Sequence, residues 1–372
     1  MKRYSMVLTA FLIIFMMIFQ FTSTGKEVEY SQLKPQYIKI SVPSTIDNLI
    51  PADETIPKKE YSAILVQKWP TVDIVDLVSL ENLERTLLTL TKDIGARQLG
   101  GKGNLEVRKY LLEELQSLGF SESDNTLARQ SMYVFNIYTE NIVAVIPSEK
   151  KDASIVVVGA HFDTVSGVEG AIDNGSGVAS LLEIIRVLLS YERTFDFELR
   201  FCFFSAEENG YYGASRYLNL QSKESLSRHK AFINADMTGF NNRQTTKALV
   251  VCTKATPNGS SPAKPNIISD AADKAYRLLS MYEYELFCPI NTGKHDIVPF
   301  VKIGIPSATF SFREIDYSRA IDNAHGICAP REMHTRSDIY ENIDVDSIYL
   351  MTRYLLVVFS NVADDVELSY KY

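Results

Sequence analysis

Histidine and carboxylate side chains stand at the ends of several strongly apolar runs of this sequence. The residues that follow such runs most closely are His161, Asp163, Glu207, Glu208 and Asp236. Short apolar runs predict buried strands, and in open α/β sheets ligands bind just beyond the carboxyl ends of the strands. We therefore expect these side chains to share one edge of a sheet, where they could hold metal ions or move protons.

The adjacent pair Glu207 and Glu208 is the most informative of these positions. Two carboxylates that end a buried strand repel each other and lose hydration, although a solvated loop start is the alternative. A bound cation would offset that cost if one carboxylate served as its ligand and the other as a base. A carboxylate such as Asp163 behind His161 is the usual support of a metal-bound imidazole, but this pair taken alone favours a surface turn.

Asp173 and His334 lie in two further polar segments, residues 170–177 and 331–338. Taken alone, the first segment fits an ordinary helix cap with glycines for a tight turn. Together, however, all these clusters offer imidazole and carboxylate ligands that suit zinc, with enough carboxylate for two ions that share a bridging ligand.

The remaining histidines, His229, His295 and His325, lie in polar stretches. We predict that they lie at the surface or behind the metal ligands.

The elements that must position these side chains alternate between strand and helix. Apolar runs predict strands at 133–138, 142–146, 155–159, 199–204 and 305–310. Periodic leucines predict helices after Ser79, from about residue 104 to Gly119, at 177–189 and at 266–279. This order predicts an α/β fold: a single domain with a mixed, largely parallel β-sheet flanked by helices.

Composition limits the class of protein. The chain has 372 residues, of which 46% are hydrophobic and 23% charged, which is typical of a globular protein. Its net charge of −8, without a long basic run, argues against nucleic acid as a partner. Its four cysteines exclude a disulfide-dense scaffold, and Cys202 lies in an apolar run, which predicts a buried thiol.

The chain begins with a basic and apolar segment. Lys2 and Arg3 precede an apolar run that ends at Phe21, and small residues follow. This pattern predicts that residues 1–25 are a signal peptide, with a retained N-terminal anchor as the alternative. The protein is therefore expected to be exported, to the extracellular space or the cell envelope, and to contact a membrane only if this segment is retained.

Prolines then define a second boundary. Residues 26–75 hold five of the 13 prolines, which predicts an extended, Pro-rich N-terminal extension. The catalytic domain is expected at residues 76–365.

The ordered set of these residues closely resembles the co-catalytic di-zinc aminopeptidases, metallopeptidase family twenty-eight, over roughly residues 79–360. The resemblance extends to residues 93–104 and to 212–215, which match a loop and a glycine turn of that family. It implies the zinc exopeptidase fold and two Zn²⁺ ions per chain. Peptides would be cleaved at their N-terminal residue by a metal-bridging hydroxide, and the free α-amine of the peptide would dock near the metal pair.

The resemblance also implies a role for each residue. Asp173 would bridge both ions, His161 and Asp236 would complete one site, and Glu208 and His334 would complete the other. The general base would be Glu207. Asp163 would orient His161, and the peptide bond between Asp173 and Asn174 is expected to be cis.

Three departures from the family pattern affect the substrate site. Ile297 stands where many members have histidine, and Met333 stands where some have the tyrosine that steadies the oxyanion. Tyr317 is the candidate substitute, and together with Phe310 and Phe312 it could line the substrate pocket, although core packing explains those phenylalanines equally well. No insertion is large enough for a protease-associated domain, so specificity is expected to come from loops of the main domain.

Alternative functions keep the same fold. A carboxypeptidase, a dipeptidase or, more remotely, a glutaminyl cyclase would use the same metal ligands. A non-enzymatic receptor-like relative is disfavoured, because such proteins usually lose metal ligands.

Overall fold

The computed structural model describes residues 37–39, 74–190, 195–242, 247–252, 267–281, 283–289, 295–316 and 327–368. Contacts divide the chain into Met1–Lys34 and Pro35–Tyr372, and every described residue belongs to the second unit. The predicted signal segment and nearly all of the Pro-rich extension lie outside the described residues and stay predictions. Among the helices that are described, none has the length and apolar character needed to cross a bilayer.

A ten-stranded sheet forms the centre of the described structure. Two short strands pair separately as an antiparallel ribbon, β7 with β12. The strands are β1 Tyr37–Lys39, β2 Leu127–Val134, β3 Ile137–Ile146, β4 Ile155–His161, β5 Glu198–Phe204, β6 His229–Ala235, β7 Phe240–Asn241, β8 Lys247–Cys252, β9 Glu285–Pro289, β10 Ser307–Ile315, β11 Ile327–Cys328 and β12 Ile343–Asp344.

The order of the large sheet is β1-β9-β8-β10-β6-β4-β5-β3-β2, with β11 paired to β10. Its central strands β10, β6, β4 and β5 are parallel, and the hairpin β2–β3 is added antiparallel at one edge. This confirms the predicted mixed, largely parallel sheet. The parallel centre aligns the carboxyl ends of β4, β5 and β6, which are the strands that carry the candidate residues.

Helices cover both faces of the sheet. They are α1 Leu80–Leu88, α2 Lys102–Ser117, α3 Ser176–Ser190, α4 Tyr212–Asn219, α5 Lys223–Arg228, α6 Ile267–Leu278, α7 Ile297–Lys302 and α8 Val345–Leu368. A π-helical segment, Thr89–Ile94, continues α1. As predicted, Ser79 caps α1, because its hydroxyl accepts the amide N–H of Asn82 at 3.2 Å.

Alternation along β4 separates two hydrophobic cores. Val156 and Val158 face the larger core, with residues of α1, α2, α3, α6 and α8, whereas Ile155 and Val157 face a smaller core with α4 and α7. Because successive side chains of a strand point to opposite faces, this fully buried strand must be apolar throughout. The strand is thereby fixed on both sides, and its last residue, His161, has a defined position.

Two sequence predictions were wrong, those for residues 133–138 and for His229. Residues 133–138 are not one strand but the end of β2, a turn at Phe135 and Asn136, both with positive φ, and the start of β3. The aromatic residues of this stretch are typical of strands and hid the turn. For Phe310 and Phe312, which the sequence left open between the substrate pocket and core packing, the structure selects the core, because both are completely buried there.

His229 is likewise not at the surface. It is 5% exposed, because as the first residue of β6 it packs against Tyr217 of α4. The predicted buried thiol of Cys202 is confirmed, and its burial raises the pKa of that thiol.

Candidate metal centre

Neighbouring strands and two loops bring the candidate residues together. His161 ends β4, Glu207 and Glu208 follow β5, and Asp236 follows β6. Asp173 comes from the segment between β4 and α3, and His334 from the segment between β11 and β12. The expectation that these side chains converge at one edge of the sheet is confirmed.

The carboxylate of Asp173 lies between two groups of potential ligands. Its Oδ1 atom is 3.2 Å from Nε2 of His161, and its Oδ2 atom is 3.2 Å from Nε2 of His334. His161, Asp173 and Asp236 form one group of atoms close enough to hold a metal ion, and Asp173, Glu208 and His334 form the other. One carboxylate thus faces both groups, which is the arrangement that a bridging ligand requires.

The two carboxylate oxygens of Asp236 face different histidines. Its Oδ2 atom accepts a hydrogen bond from Nδ1 of His295 at 2.6 Å, while its Oδ1 atom lies 3.7 Å from Nε2 of His161. Burial disfavours the charged carboxylate, but the neighbouring His295 and His161 hold the pKa of Asp236 well below its usual range. His295 therefore lies behind a candidate ligand, as one of the two predicted placements allowed.

Asp163 organises both the histidine and the glutamate pair. Its backbone carbonyl accepts a hydrogen bond from Nδ1 of His161 at 3.2 Å, and its carboxylate Oδ1 is 3.6 Å from the same nitrogen. The carboxylate oxygens accept the backbone N–H groups of Glu207 and Glu208 at 3.1 and 3.2 Å. Asp163 thus connects the end of β4 to the turn after β5, beyond the role that the sequence suggested.

Glu207 is buried beside this network. Burial raises the pKa of its carboxyl group well above the ordinary value, and the neighbouring Asp296 and Asp236 raise it further. Burial also raises the pKa of Glu208, although its bond to His334 opposes that shift. A raised pKa brings a carboxylate closer to the pH at which a general base exchanges protons efficiently.

The segment that carries Asp173 is held by two polar side chains. Asp338 accepts the N–H groups of Ile172 and Asp173 at 2.6 and 3.0 Å. Arg97, which is completely buried, donates to the backbone carbonyls of Phe162, Glu169 and Gly170. Burial lowers the pKa of Arg97 to about 10 and raises that of Asp338 to about 7.

The backbone around Asn174 is unusual. The peptide bond between Asp173 and Asn174 is cis, as the resemblance implied. The side-chain oxygen of Asn174 accepts the N–H groups of Gly177 and Met237. A Cβ atom at Gly177 would lie 2.3 Å from that oxygen, so the close approach requires glycine here.

A pocket of about 400 Å³ opens above these ligands. Asn209, Gly210, Tyr211, Met237 and Met333 line it together with the candidate residues. Among the described residues that line the pocket, none is Lys or Arg. The charged groups of its walls are therefore several carboxylates, and imidazoles are the groups that can offset their negative charge.

The buried polar atoms of this site fit bound cations. Oδ1 of Asp236 and Oε1 of Glu208 are buried without a hydrogen-bond partner among the described residues. Buried, unpaired carboxylate oxygens are costly unless a cation neutralises them. Imidazole nitrogen and carboxylate oxygen form the donor set of catalytic zinc sites.

The sequence assigned no role to Asp338 or Arg97, and it left His295 open between the surface and a place behind the ligands. The contacts of His295, Asp338 and Arg97 connect residues 59 to 166 positions apart, and no local pattern encodes such contacts. Tyr317 lies outside the described residues, and its role stays a prediction.

A parallel α/β sheet with a shared carboxylate between two histidine-containing ligand groups is characteristic of co-catalytic metallohydrolases. The family model of peptidase family M28 matches residues 141–359, and this chain belongs to that family. The matched region contains every candidate ligand and Glu207.

Curated relatives carry aminopeptidase names. The chain is 35% identical over 176 residues to aminopeptidase YwaD of Bacillus subtilis, a match that covers 47% of this chain and 36% of the relative. It is 30% identical over 209 residues to a probable leucine aminopeptidase of Arthroderma otae, covering 53% of each chain. The matches thus span about a third to a half of these relatives' length.

Solved structures with this fold include two kinds of enzyme. A zinc aminopeptidase of Bacillus subtilis superposes with a TM-score of 0.64 at 17% identity, covering 76% of this chain and 94% of the other. A glutaminyl cyclase of Porphyromonas gingivalis superposes with a TM-score of 0.58 at 21% identity, covering 78% and 99%. The shared fold therefore leaves open which of the two reactions takes place.

Proposed function

We propose that this chain is an exported, zinc-dependent aminopeptidase that binds two Zn²⁺ ions and hydrolyses N-terminal residues from peptides. The observation that carries the proposal is the position of Asp173 between two ligand groups, with Glu207 beside them. His161 and Asp236 would hold one ion, Glu208 and His334 the other, and Asp173 both. Zinc bound there would polarise the scissile carbonyl and acidify water.

The side chains of this chain supply the proton transfers. Glu207 would accept a proton from the attacking water while the oxygen of that water forms a bond to the peptide carbonyl carbon. The same carboxyl group would return the proton to the leaving nitrogen as the C–N bond breaks. The contact of Asp163 with the backbone of Glu207 holds this base in position.

The charge of the pocket favours cleavage at the N-terminus. A substrate of a carboxypeptidase presents a carboxylate, which needs a cationic side chain near the site. The described lining has carboxylates and no Lys or Arg, so it suits the positively charged α-amine of a peptide N-terminus. The names of the curated relatives support the same choice.

A substrate panel on the purified, zinc-loaded protein tests this function. Aminoacyl-p-nitroanilides and free peptides should be hydrolysed, whereas N-acetylated peptides should not. Removal of metal with a chelator should abolish hydrolysis, and added zinc should restore it. Hydrolysis of the N-acetylated peptides with release of their C-terminal residue would indicate a carboxypeptidase instead.

Glutaminyl cyclase is the second candidate, because proteins of that activity share the fold. A peptide with N-terminal glutamine distinguishes the two reactions. Cyclisation releases ammonia and retains every residue, whereas aminopeptidase action releases free glutamine. Mass spectrometry of the products identifies which reaction occurs.

Export is supported by the basic and apolar start of the chain. N-terminal sequencing of the protein recovered from the culture medium or cell envelope tests it. A new N-terminus near residue 25 would indicate cleavage, and an intact one in the membrane fraction would indicate an anchor. Recovery of the full-length protein from the cytoplasm alone would contradict export.

A further inference from the structure

A second concave surface lies beside the metal centre, between strand β2 and helix α4. We call it the β2–α4 groove. It has a volume of about 510 Å³. Met132, Tyr133 and Val134 of β2 line one side, and Tyr212 and Arg216 of α4 line the other.

The β2–α4 groove adjoins the catalytic pocket along the chain. Tyr211 lines the pocket, and the next residue, Tyr212, lines the groove. Met132 and Val134 also pack against Ala206, the residue before Glu207. A peptide that leaves the pocket on this side would therefore enter the groove directly.

The strand side of the groove suits an extended peptide. β2 is the last strand of the sheet, and among the described residues it pairs only with β3. The free edge of such a strand offers backbone N–H and C=O groups to an added chain. Aromatic side chains lie exposed along it, since Tyr133 is 73% exposed and Phe135, 66% exposed, contacts the ring of Tyr212 edge-on.

The helix side of the groove carries the positive charge of Arg216, whose side chain is partly exposed. The Nε atom of Arg216 is buried without a hydrogen-bond partner, and no described acidic side chain forms an ion pair with this arginine. No Asp or Glu occurs among the described residues that line the groove. Because Arg216 is partly exposed and lines the groove, its guanidinium can meet a ligand there, and a carboxylate is the acceptor that matches its fork of donors best.

We propose that the β2–α4 groove binds the part of a peptide substrate downstream of the cleaved bond, with Arg216 holding the C-terminal carboxylate. This inference rests on the proposed aminopeptidase function. Tyr212 and Arg216 are one helical turn apart, which is about 6 Å. A few extended residues, at about 3.3 Å each, would span such a distance. The protein would therefore prefer short peptides with a free C-terminus.

The test compares three substrates on the full-length, zinc-loaded protein. They are leucyl-p-nitroanilide, the peptide Leu-Ala-Ala-Ala with a free carboxylate, and its C-terminal amide. The variants are Arg216→Ala and Tyr133→Ser, and Lys223→Ala is the matched control because it removes a positive charge outside the groove. Tyr133→Ser changes a largely exposed side chain and should not affect folding.

We expect Arg216→Ala to raise KM for the free acid about tenfold while kcat stays unchanged, because a charged hydrogen bond is lost only in binding. KM for the amide and for the nitroanilide should not change. Tyr133→Ser should raise KM for the acid and the amide alike, and Lys223→Ala should change none of these values.

An unchanged KM for the free acid in Arg216→Ala, or an equal rise for the amide, would overturn the assignment. Failure of every variant and of the parent protein to hydrolyse leucyl-p-nitroanilide would instead contradict the proposed function. In that case calorimetric binding of Leu-Ala-Ala-Ala and its amide to the parent and to Arg216→Ala decides the role of the groove separately. Equal affinities for both ligands in both proteins would then refute it.

Discussion

The strand that carries Asp236 begins with a buried histidine, and this histidine predicts an acid-sensitive fold. Nδ1 of His229 donates to the backbone carbonyl of Ser225 at 2.8 Å, and Nε2 accepts a hydrogen bond from Tyr217 at 2.8 Å. The second bond requires the neutral ring, because a protonated Nε2 cannot accept a hydrogen bond. Burial, together with the charge of Arg200, lowers the pKa of His229 from 6.5 to about 4.

The size of the effect follows from that shift. The neutral form is present in the folded protein down to about pH 4, whereas the unfolded chain takes up the proton near pH 6.5. The stability that the neutral ring confers is therefore complete above pH 6.5, falls as the pH drops from 6.5 to 4, and changes no further below. Between pH 7.5 and pH 4.5 this linkage costs about 2.5 kcal/mol, because each pKa unit is worth about 1.4 kcal/mol.

Urea denaturation of parent protein and of His229→Gln at these two pH values measures the effect. Other groups, including the carboxylates of the metal centre, titrate in both proteins and cancel in the comparison. The free energy of unfolding of the parent should fall by about 2.5 kcal/mol more than that of the variant. Equal losses would refute the reasoning, since they would show that His229 titrates normally in the folded state.

Three further changes probe the metal centre. Glu207→Gln should lower kcat by about 10²- to 10⁴-fold and leave the zinc content measured by mass spectrometry unchanged, whereas an equal loss of zinc would identify Glu207 as a ligand. Asp173→Ala should lose both ions, and retention of full metal with activity would contradict the bridge. Arg97→Met should lower the free energy of unfolding by at least about 3 kcal/mol, because several buried carbonyls lose their donor. The control Arg85→Met changes an exposed side chain and should alter the free energy of unfolding little. Similar values for the two variants would show that the hydrogen bonds of Arg97 do not stabilise the fold.

The apolar runs of the sequence correctly predicted the buried strands and the residues that follow them. The buried strands before His161 and Glu207 are continuous apolar runs, since both of their faces are covered, and their ends were therefore visible in the sequence. Asp236 was found for the same reason at the end of β6.

Features that depend on the tertiary structure could not be predicted in this way. His229 stands among polar residues, and only the docking of α4 buries it. The hairpin turn at Phe135 and Asn136 lacks glycine, so the aromatic run concealed it. The hydrogen bonds of Asp338 to Ile172 and Asp173 bridge more than 160 positions, which no periodicity can show.

The hydrogen bonds of Asp338 have a consequence for the folding of the protein during its synthesis. Asp338 fixes the backbone of Asp173, and His334, four positions earlier, faces the same carboxylate. During synthesis on the ribosome, both must emerge before the shared carboxylate can be fixed in place. If the proposed function holds, aminopeptidase activity should therefore appear only after residue 338 has left the ribosome, and a polypeptide that stops before residue 338 should be inactive.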